Sequence, residues 1–152
     1  MLSLFANDPL DLLALGAMLS DRHDLALVWP DATFPFDRDQ WRETLTSHSG
    51  NKSFFVANDG EVIGHAALLE TDEPGVLAVS YLFIRPDQRG RGFGPELIAL
   101  LEGEAKKVVG INALKLRVRT YNPRAAHVYA KSGFVPSHQD GTLVIMRKSL
   151  AR

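Results

Sequence analysis

The sequence predicts a mixed α/β fold of the α+β kind, with a central, mostly antiparallel sheet flanked by about four helices. Apolar residues at helical spacing over 95–109, followed by strand-like alternation over 113–119, indicate a parallel crossover. Upstream, runs rich in β-branched and aromatic residues predict consecutive antiparallel strands. These runs cover residues 53–59, 60–70 and 76–86.

The remaining elements follow from local signals. Residues 2–6 predict a short first strand, and Asn7 or Asp8 is expected to cap the helix after it. Two prolines make 25–36 a predicted loop, and Asp37 is expected to cap a second helix that runs to His48.

The end of the chain predicts one more helix and a hairpin. Asn122, Pro123 and Gly133 supply a cap, a first-turn proline and a terminal glycine. Two strand-like runs at 134–138 and 142–148 then close the fold.

Length and composition narrow the class of protein. With 152 residues, 45% of them hydrophobic, residues 1–152 are expected to form a single domain with a sizeable core. The sequence has no cysteine, which excludes disulfides and a thiol nucleophile. It has no apolar run of the ~20 residues that a membrane span needs, and its first residues lack the pattern of a signal peptide. We therefore expect a cytoplasmic protein without a membrane partner.

The net charge of −1 hides an uneven distribution. Residues 1–76 carry 4 basic and 13 acidic side chains, whereas residues 77–152 carry 13 and 5. The overall balance gives no indication of a nucleic-acid partner. The two halves either suit a cationic and an anionic ligand or simply attract each other within one fold.

The most informative segment is a glycine loop, defined here as residues 89–94 with the sequence RGRGFG, between a strand and a helix. Backbone N–H groups at a helix start bind phosphate oxygens, and the loop arginines Arg89 and Arg91 add positive charge. The spacing matches neither the nucleoside-triphosphate loop nor the dinucleotide pattern. An anion cradle and a flexible turn with solubilising arginines are the two interpretations, and the alternating glycines favour the cradle.

Two blocks of the sequence resemble the GNAT superfamily of acetyl-CoA-dependent N-acetyltransferases. The glycine loop fits the family motif [Q/R]-x-x-G-x-[G/A], and residues 122–134 fit its N-x-x-A-x-x-x-Y-x-x-x-G-F segment. The resemblance covers residues 53–148 well and the N-terminal quarter only loosely.

The resemblance implies acetyl-CoA as co-substrate and assigns residues to it. The diphosphate would lie on the glycine loop, and the pantetheine arm would pair with the main chain of the preceding strand. The implied coenzyme-binding residues are Leu82, Phe83, Ile84, Arg89, Gly90, Arg91, Gly92, Phe93, Gly94 and Asn122. Pro95 lacks an N–H group, which removes one possible phosphate donor.

Tyr129 is the candidate general acid. The resemblance places it in that role, and a phenol with a pKa near ~10 can protonate a departing thiolate. The alternative is a core tyrosine whose hydroxyl meets a backbone acceptor. Asn122 is expected to cap its helix, to contact the coenzyme, or both. A backbone N–H near Phe83 or Ile84 is expected to meet the oxyanion.

The sequence does not identify a general base. The two places where relatives carry a glutamate hold Tyr81 and Arg117. A water chain, or an acceptor amine that arrives neutral, would replace the base. His65 is one possible end of such a chain, but the simpler interpretation is a strand histidine with an ordinary hydrogen bond. Other possible ends of such a chain are Ser80, Tyr81, Glu70 and Asp72. The histidine spacing indicates no metal site.

The N-terminal region leaves the acceptor open. Trp29, Phe34, Phe36 and Trp41 lie among aspartates, which suits either a cationic amine or an ordinary aromatic core. The expected partner of acetyl-CoA is a small amine or a peptide, and a homodimer is possible. Two other functions stay open, a non-catalytic acyl-CoA-binding sensor or scaffold and a nucleotide-binding protein with an unusual loop.

Overall fold

The computed structural model describes residues 1–150, and its strands and helices follow the predicted order. The elements are β1 (Leu2–Ala6), α1 (Leu12–Met18), α2 (Arg22–Val28), α3 (Arg38–Leu45), β2 (Lys52–Asn58), β3 (Glu61–Glu70), β4 (Val76–Ile84), a 3-10 turn (Pro86–Gln88), α4 (Phe93–Lys106), β5 (Ala113–Arg119), α5 (Pro123–Lys131), β6 (Val135–Asp140) and β7 (Leu143–Ser149).

The seven strands belong to one sheet with the order β1-β2-β3-β4-β5-β7-β6. Strand β4 pairs with β5 in parallel, as the helical crossover requires. The pairs β1–β2, β2–β3, β5–β7 and β6–β7 are antiparallel. The predicted mixed, mostly antiparallel sheet is confirmed.

Within residues 1–150 there are five α-helices, one more than the sequence predicted. The additional helix is α2, which occupies part of the predicted loop 25–36. Asp21 caps it by accepting a hydrogen bond from the Asp24 N–H, and Leu25 is buried on its inner side. The first proline of that segment, Pro30, lies beyond the helix and therefore does not interrupt it.

The cap of the first helix was also misplaced by the sequence. Asp11, not Asn7 or Asp8, caps α1, because its side chain accepts the Ala14 N–H at 2.9 Å. Asn7 instead accepts the Asp11 N–H at 2.7 Å and fixes the turn before the helix. The predicted cap of α3 at Asp37 is confirmed.

The chain divides into two compact units. The first comprises Met1–Leu69 and Tyr81–Arg89, and the second comprises Glu70–Ser80 and the chain from Gly90 onward. The core of the first unit lies between α1, α2, α3 and the strands of that unit. Its buried members are Leu12, Leu15, Leu19, Leu25, Trp41, Leu45, Phe55, Ala67 and Phe83.

The second unit buries the inner side of α4 and the alternating residues of β5. Helix α4 contributes Leu97, Leu101 and Ala105, which its periodicity predicts, together with Ile98. The boundary between the units passes through β4, between Ser80 and Tyr81.

Candidate functional site

The glycine loop adopts a backbone that requires glycine at two positions. Gly90 has a φ of +79° and Gly92 a φ of +77°, a region that side chains with a Cβ rarely adopt. A Cβ added at either residue would meet no atom within 4 Å. The loop therefore keeps an open surface, and its glycines are explained by backbone conformation rather than by packing.

Helix α4 begins at this loop without a side-chain cap. Gly92 is the N-cap residue, and no side chain of residues 1–150 caps the first turn through a hydrogen bond. An uncapped helix start leaves main-chain N–H groups without helical partners, here those of Gly92, Phe93 and Gly94, since Pro95 has none. These donors and the positive end of the helix dipole suit a negatively charged group.

Gly94 has a different reason to be glycine. A Cβ there would lie 2.7 Å from Cγ1 of Val128, which is closer than real Cβ contacts allow. The missing side chain thus permits helices α4 and α5 to approach each other. Of the three loop glycines, this one serves helix packing.

The two loop arginines differ in their surroundings. In the first unit, Arg89 donates from Nε to the Ile84 carbonyl at 2.8 Å, and its Nη2 lies 3.7 Å from an Asp24 carboxylate oxygen. Its guanidinium also lies over the Phe83 ring, 5.4 Å from the centroid. Arg91 is exposed. Arg91 is therefore the more accessible positive charge of the pair.

The parallel pairing of β4 with β5 is short. The ladder runs from Val76 to Ala78 and ends there. Beyond that point Tyr81 has a φ of +52°, one of two positive values among the non-glycine residues of the described chain. This left-handed residue bends the strand immediately before Leu82, Phe83 and Ile84.

His65 holds the main chain of that bend. It is fully buried on β3, and its Nδ1 lies 2.9 Å from the Tyr81 carbonyl oxygen. Its Nε2 lies 2.7 Å from Ser53 Oγ. Burial lowers the pKa of His65 to about 4, despite the opposing effect of the Tyr81 hydrogen bond. His65 is consequently a neutral strand histidine with satisfied nitrogens, which makes it a poor general base.

The Tyr81 side chain also forms its contacts within the first unit. Its hydroxyl lies 2.8 Å from Thr44 Oγ1, and its ring centroid lies 4.8 Å from that of Trp41 and 5.3 Å from that of Trp29. Trp41 is fully buried and stacks on Phe36. Trp41 is therefore core, and the half-buried rings of Trp29, Phe36 and Tyr81 pack against it.

Phe34 lies outside this cluster. It is exposed, and the Arg22 guanidinium lies 4.2 Å from its ring centroid.

Tyr129 lies on α5 in the second unit. Its ring contacts Phe134 with the centroids 6.3 Å apart. No side chain or backbone group of residues 1–150 forms a hydrogen bond with its hydroxyl, which separates it from a core tyrosine with a backbone acceptor. Burial raises its pKa above the ordinary value. Its phenol is accordingly protonated at neutral pH and has a proton to donate.

Asn122 caps α5, as predicted, by accepting the Ala125 N–H at 3.3 Å. Among the other residues considered as ends of a water chain, Glu70 and Asp72 are exposed, and Ser80 donates to the Ala78 carbonyl at 3.4 Å.

Within the described chain, no three His, Asp or Glu side chains are grouped to hold a metal ion. No helix between residues 1 and 150 has the length and apolar character to cross a membrane.

Sequence reasoning did not find the hydrogen bonds around Tyr81. The one available signal was Gly64, a glycine inside a strand, which often marks a close backbone approach. A Cβ at Gly64 would collide with the Phe83 carbonyl oxygen. Strand β3 therefore contacts the bent part of β4 directly.

Comparison with known proteins identifies relatives of this chain. Residues 17–134 match the family model described as "Acetyltransferase (GNAT) family". Spermidine N(1)-acetyltransferase of Vibrio cholerae serotype O1 is 29% identical over 99 residues, 64% of this chain and 56% of the relative. IAA acetyltransferase of Azospirillum brasilense is 29% identical over 102 residues, 66% of each protein. The matched region thus spans 56% to 66% of the length of these relatives.

A solved structure supports the fold over almost the whole chain. The crystal structure of spermidine N-acetyltransferase from Vibrio cholerae, in complex with CoA and spermine, superposes with a TM-score of 0.79 at 22% identity. The superposition covers 98% of this chain and 95% of that one. The family model covers most of the sequence, and the fold agrees with it. The chain belongs to the acetyltransferase (GNAT) family.

Proposed function

We propose that this protein transfers an acetyl group from acetyl-CoA to a primary amine within a ternary complex. The observation that carries the proposal is the uncapped start of α4, where Gly90 and Gly92 leave an open surface beside unpaired main-chain donors. Such donors suit a phosphate group, and the diphosphate of a coenzyme supplies one. Family membership and the CoA-bound neighbour support acetyl-CoA as the molecule that carries it.

The proposal assigns the coenzyme to the residues identified from the sequence. Main-chain donors of the glycine loop hold the diphosphate, with Arg91 as the accessible charge. Residues 82–84 offer main-chain groups to the amides of the pantetheine arm, in the way that an exposed strand edge accepts an added strand. The Asn122 amide group is a further coenzyme contact, since its carbonyl oxygen alone is used for the helix cap.

The chemistry requires one protonated acid and a neutral amine. The amine nitrogen attacks the thioester carbonyl carbon, and main-chain N–H groups near Phe83 or Ile84 stabilise the tetrahedral oxyanion. The carbon–sulfur bond then breaks, and Tyr129 donates its phenolic proton to the departing thiolate. The amine proton passes to water, because neither His65 nor Tyr81 is available as a base.

A second function is favoured by one observation. The position where many relatives carry a carboxylate base holds Tyr81, and its hydroxyl is already paired with Thr44. A protein that binds acyl-CoA without turning it over, as a sensor or a scaffold, would need no base.

Thiol release from acetyl-CoA separates the two functions. The assay uses a panel of spermidine, spermine, kanamycin, lysine and a peptide with a free N-terminus, and calorimetry measures acetyl-CoA binding in parallel. Acetyl transfer requires amine-dependent thiol release with at least one acceptor. Tight acetyl-CoA binding without release for any amine would support the sensor, and the absence of binding would contradict both.

A further inference from the structure

We infer that His65 is a positioning residue that orients the peptide group between Tyr81 and Leu82, so that the Leu82 N–H points to the side of β4 on which the coenzyme binds. The inference rests on the proposed function for the identity of the ligand. Its basis is a buried chain of hydrogen bonds in the first unit that no part of the acetyl-transfer chemistry uses.

The hydrogen bonds of this chain have one possible direction. A carbonyl oxygen only accepts, so the His65 Nδ1 carries the proton that it donates to the Tyr81 carbonyl at 2.9 Å. Nε2 of the neutral ring must then accept the Ser53 hydroxyl proton across 2.7 Å. The Ser53 oxygen in turn accepts from Asn7 Nδ2 at 3.2 Å. The tautomer of His65 is therefore set from both sides.

The bonded residues are almost completely shielded from water. His65 is fully buried, and Ser53 and Asn7 are buried with exposed fractions of 8% and 4%. A buried polar group that loses its partner costs about 1–3 kcal/mol, so each bond in the chain resists breaking. This rigidity is what a left-handed, non-glycine residue such as Tyr81 needs from its surroundings.

The planar peptide bond transmits the constraint to Leu82. The Tyr81 carbonyl and the Leu82 N–H belong to the same peptide group, and in a trans peptide they point in opposite directions. Because His65 holds the carbonyl on the β3 side, the N–H is directed away from β3. This N–H is the main-chain donor that the proposed function assigns to the coenzyme.

Matched substitutions separate this role from simple burial. The His65→Asn variant keeps an amide donor at the position of Nδ1, whereas His65→Leu has the same branching without a donor. The His65→Gln variant carries its amide one bond further out, toward Ser53. We expect kcat to fall about 10- to 100-fold in His65→Leu and His65→Gln, because a displaced Leu82 peptide also displaces the following N–H groups that stabilise the oxyanion. The His65→Asn variant should recover most of the loss.

The kinetic constants of the three His65 variants are compared only after the stability of each variant has been measured. The KM for acetyl-CoA should change less than kcat, and each variant is first shown to be folded by its thermal transition. Rates that simply follow the transition temperature, or a His65→Leu variant as active as the wild type, would overturn the inference.

An NMR experiment tests the inference without turnover. In the wild type, the ring ¹⁵N shifts of His65 should show a protonated Nδ1 and a bare Nε2, and titration with acetyl-CoA should shift the Leu82 amide resonance. That shift should be restored in His65→Asn and lost in His65→Leu. A proton on Nε2, or equal Leu82 responses in all variants, would exclude the positioning role. If acetyl-CoA binds but no amine is acetylated, the proposed enzyme fails while this test still gives an answer.

Discussion

Two tyrosines of this protein are used in opposite ways. In the first unit, the Tyr81 hydroxyl is 2.8 Å from Thr44 Oγ1, its ring packs against Trp29 and Trp41, and its carbonyl is bound by His65. In the second unit, the Tyr129 hydroxyl has no hydrogen-bond partner among residues 1–150. One phenol is held by the fold, and the other is the proton donor that we propose for acetyl transfer.

The difference shows that the hydrogen-bond partners of a side chain must be known before a motif can assign it a catalytic role. Tyr81 holds a position at which the family resemblance implies a base, yet its hydroxyl and carbonyl are already hydrogen-bonded. Tyr129 is the acid that we propose, and burial raises the pKa of its phenol, which no group of residues 1–150 pairs. A hydroxyl available for proton transfer must be free of a structural hydrogen bond, and that condition is met in the second unit.

The largest effect that tests this contrast is expected for Tyr129→Phe. Removing the proton donor should lower kcat about 10²- to 10⁴-fold, the usual contribution of a general acid. The acetyl-CoA dissociation constant should stay within about twofold, because the ring remains. Steady-state kinetics and calorimetry measure the two quantities, with Tyr81→Phe as the matched variant. An equal loss of binding and turnover would show that Tyr129 only supports the coenzyme site.

Acidification should destabilise the protein through His65, because burial disfavours the charged ring and a protonated Nε2 no longer accepts from Ser53. The folded pKa of about 4 lies below the unfolded value of 6.5, so the unfolded chain binds the proton more readily. The contribution of His65 to stability is complete above about pH 6.5 and is lost as the pH falls towards 4, by roughly 3 kcal/mol in total.

Urea unfolding between pH 7.5 and 4.5 measures this loss. His65→Asn has no ring to titrate and should show a shallower decline, and the carboxylates that both proteins share cancel in the difference. Parallel curves for the two proteins would show that His65 does not titrate with folding.

A smaller effect is expected at Gly94. This residue packs against Val128, the residue before Tyr129. Gly94→Ala places a Cβ against Val128, and such overpacking costs about 1–3 kcal/mol. Val128→Ala removes the obstructing methyl groups. In that background the same substitution should become neutral or stabilising by up to about 1 kcal/mol, because alanine favours a helix over glycine. Thermal unfolding of the four proteins measures the change of sign. Equal effects in both backgrounds would mean that the two residues do not limit helix packing.

Much of the fold follows from local sequence patterns. A run of β-branched and aromatic residues predicted β3, and alternation predicted β5. The sequence Asn-Asp-Gly at 58–60 is typical of the tight turn between β2 and β3, where Asp59 and Gly60 have positive φ. Helix α2 was missed because two prolines in 25–36 outweighed its short apolar face, although both lie after the helix ends.

The candidate site was predictable where the backbone itself requires a residue type. Gly90 and Gly92 are recognisable because a left-handed turn excludes other residues. The left-handed Tyr81 was not, since its conformation depends on His65, a residue 16 positions away on another strand. The packing role of Gly94 likewise depends on Val128, which only the folded chain brings close.

The smallest effect is expected for Tyr81→Phe, and it tests the other side of the contrast. Loss of the hydrogen bond to Thr44 should destabilise the protein by about 1 kcal/mol. Thr44→Val removes the same bond from its other end, so a double-mutant cycle should give a coupling energy of similar size. Turnover should stay within about threefold of the wild type, because the ring and the main chain of Tyr81 are retained. A fall in kcat comparable to that of Tyr129→Phe, without coupling to Thr44, would instead place the Tyr81 hydroxyl in the reaction and give the enzyme the base that its sequence lacks.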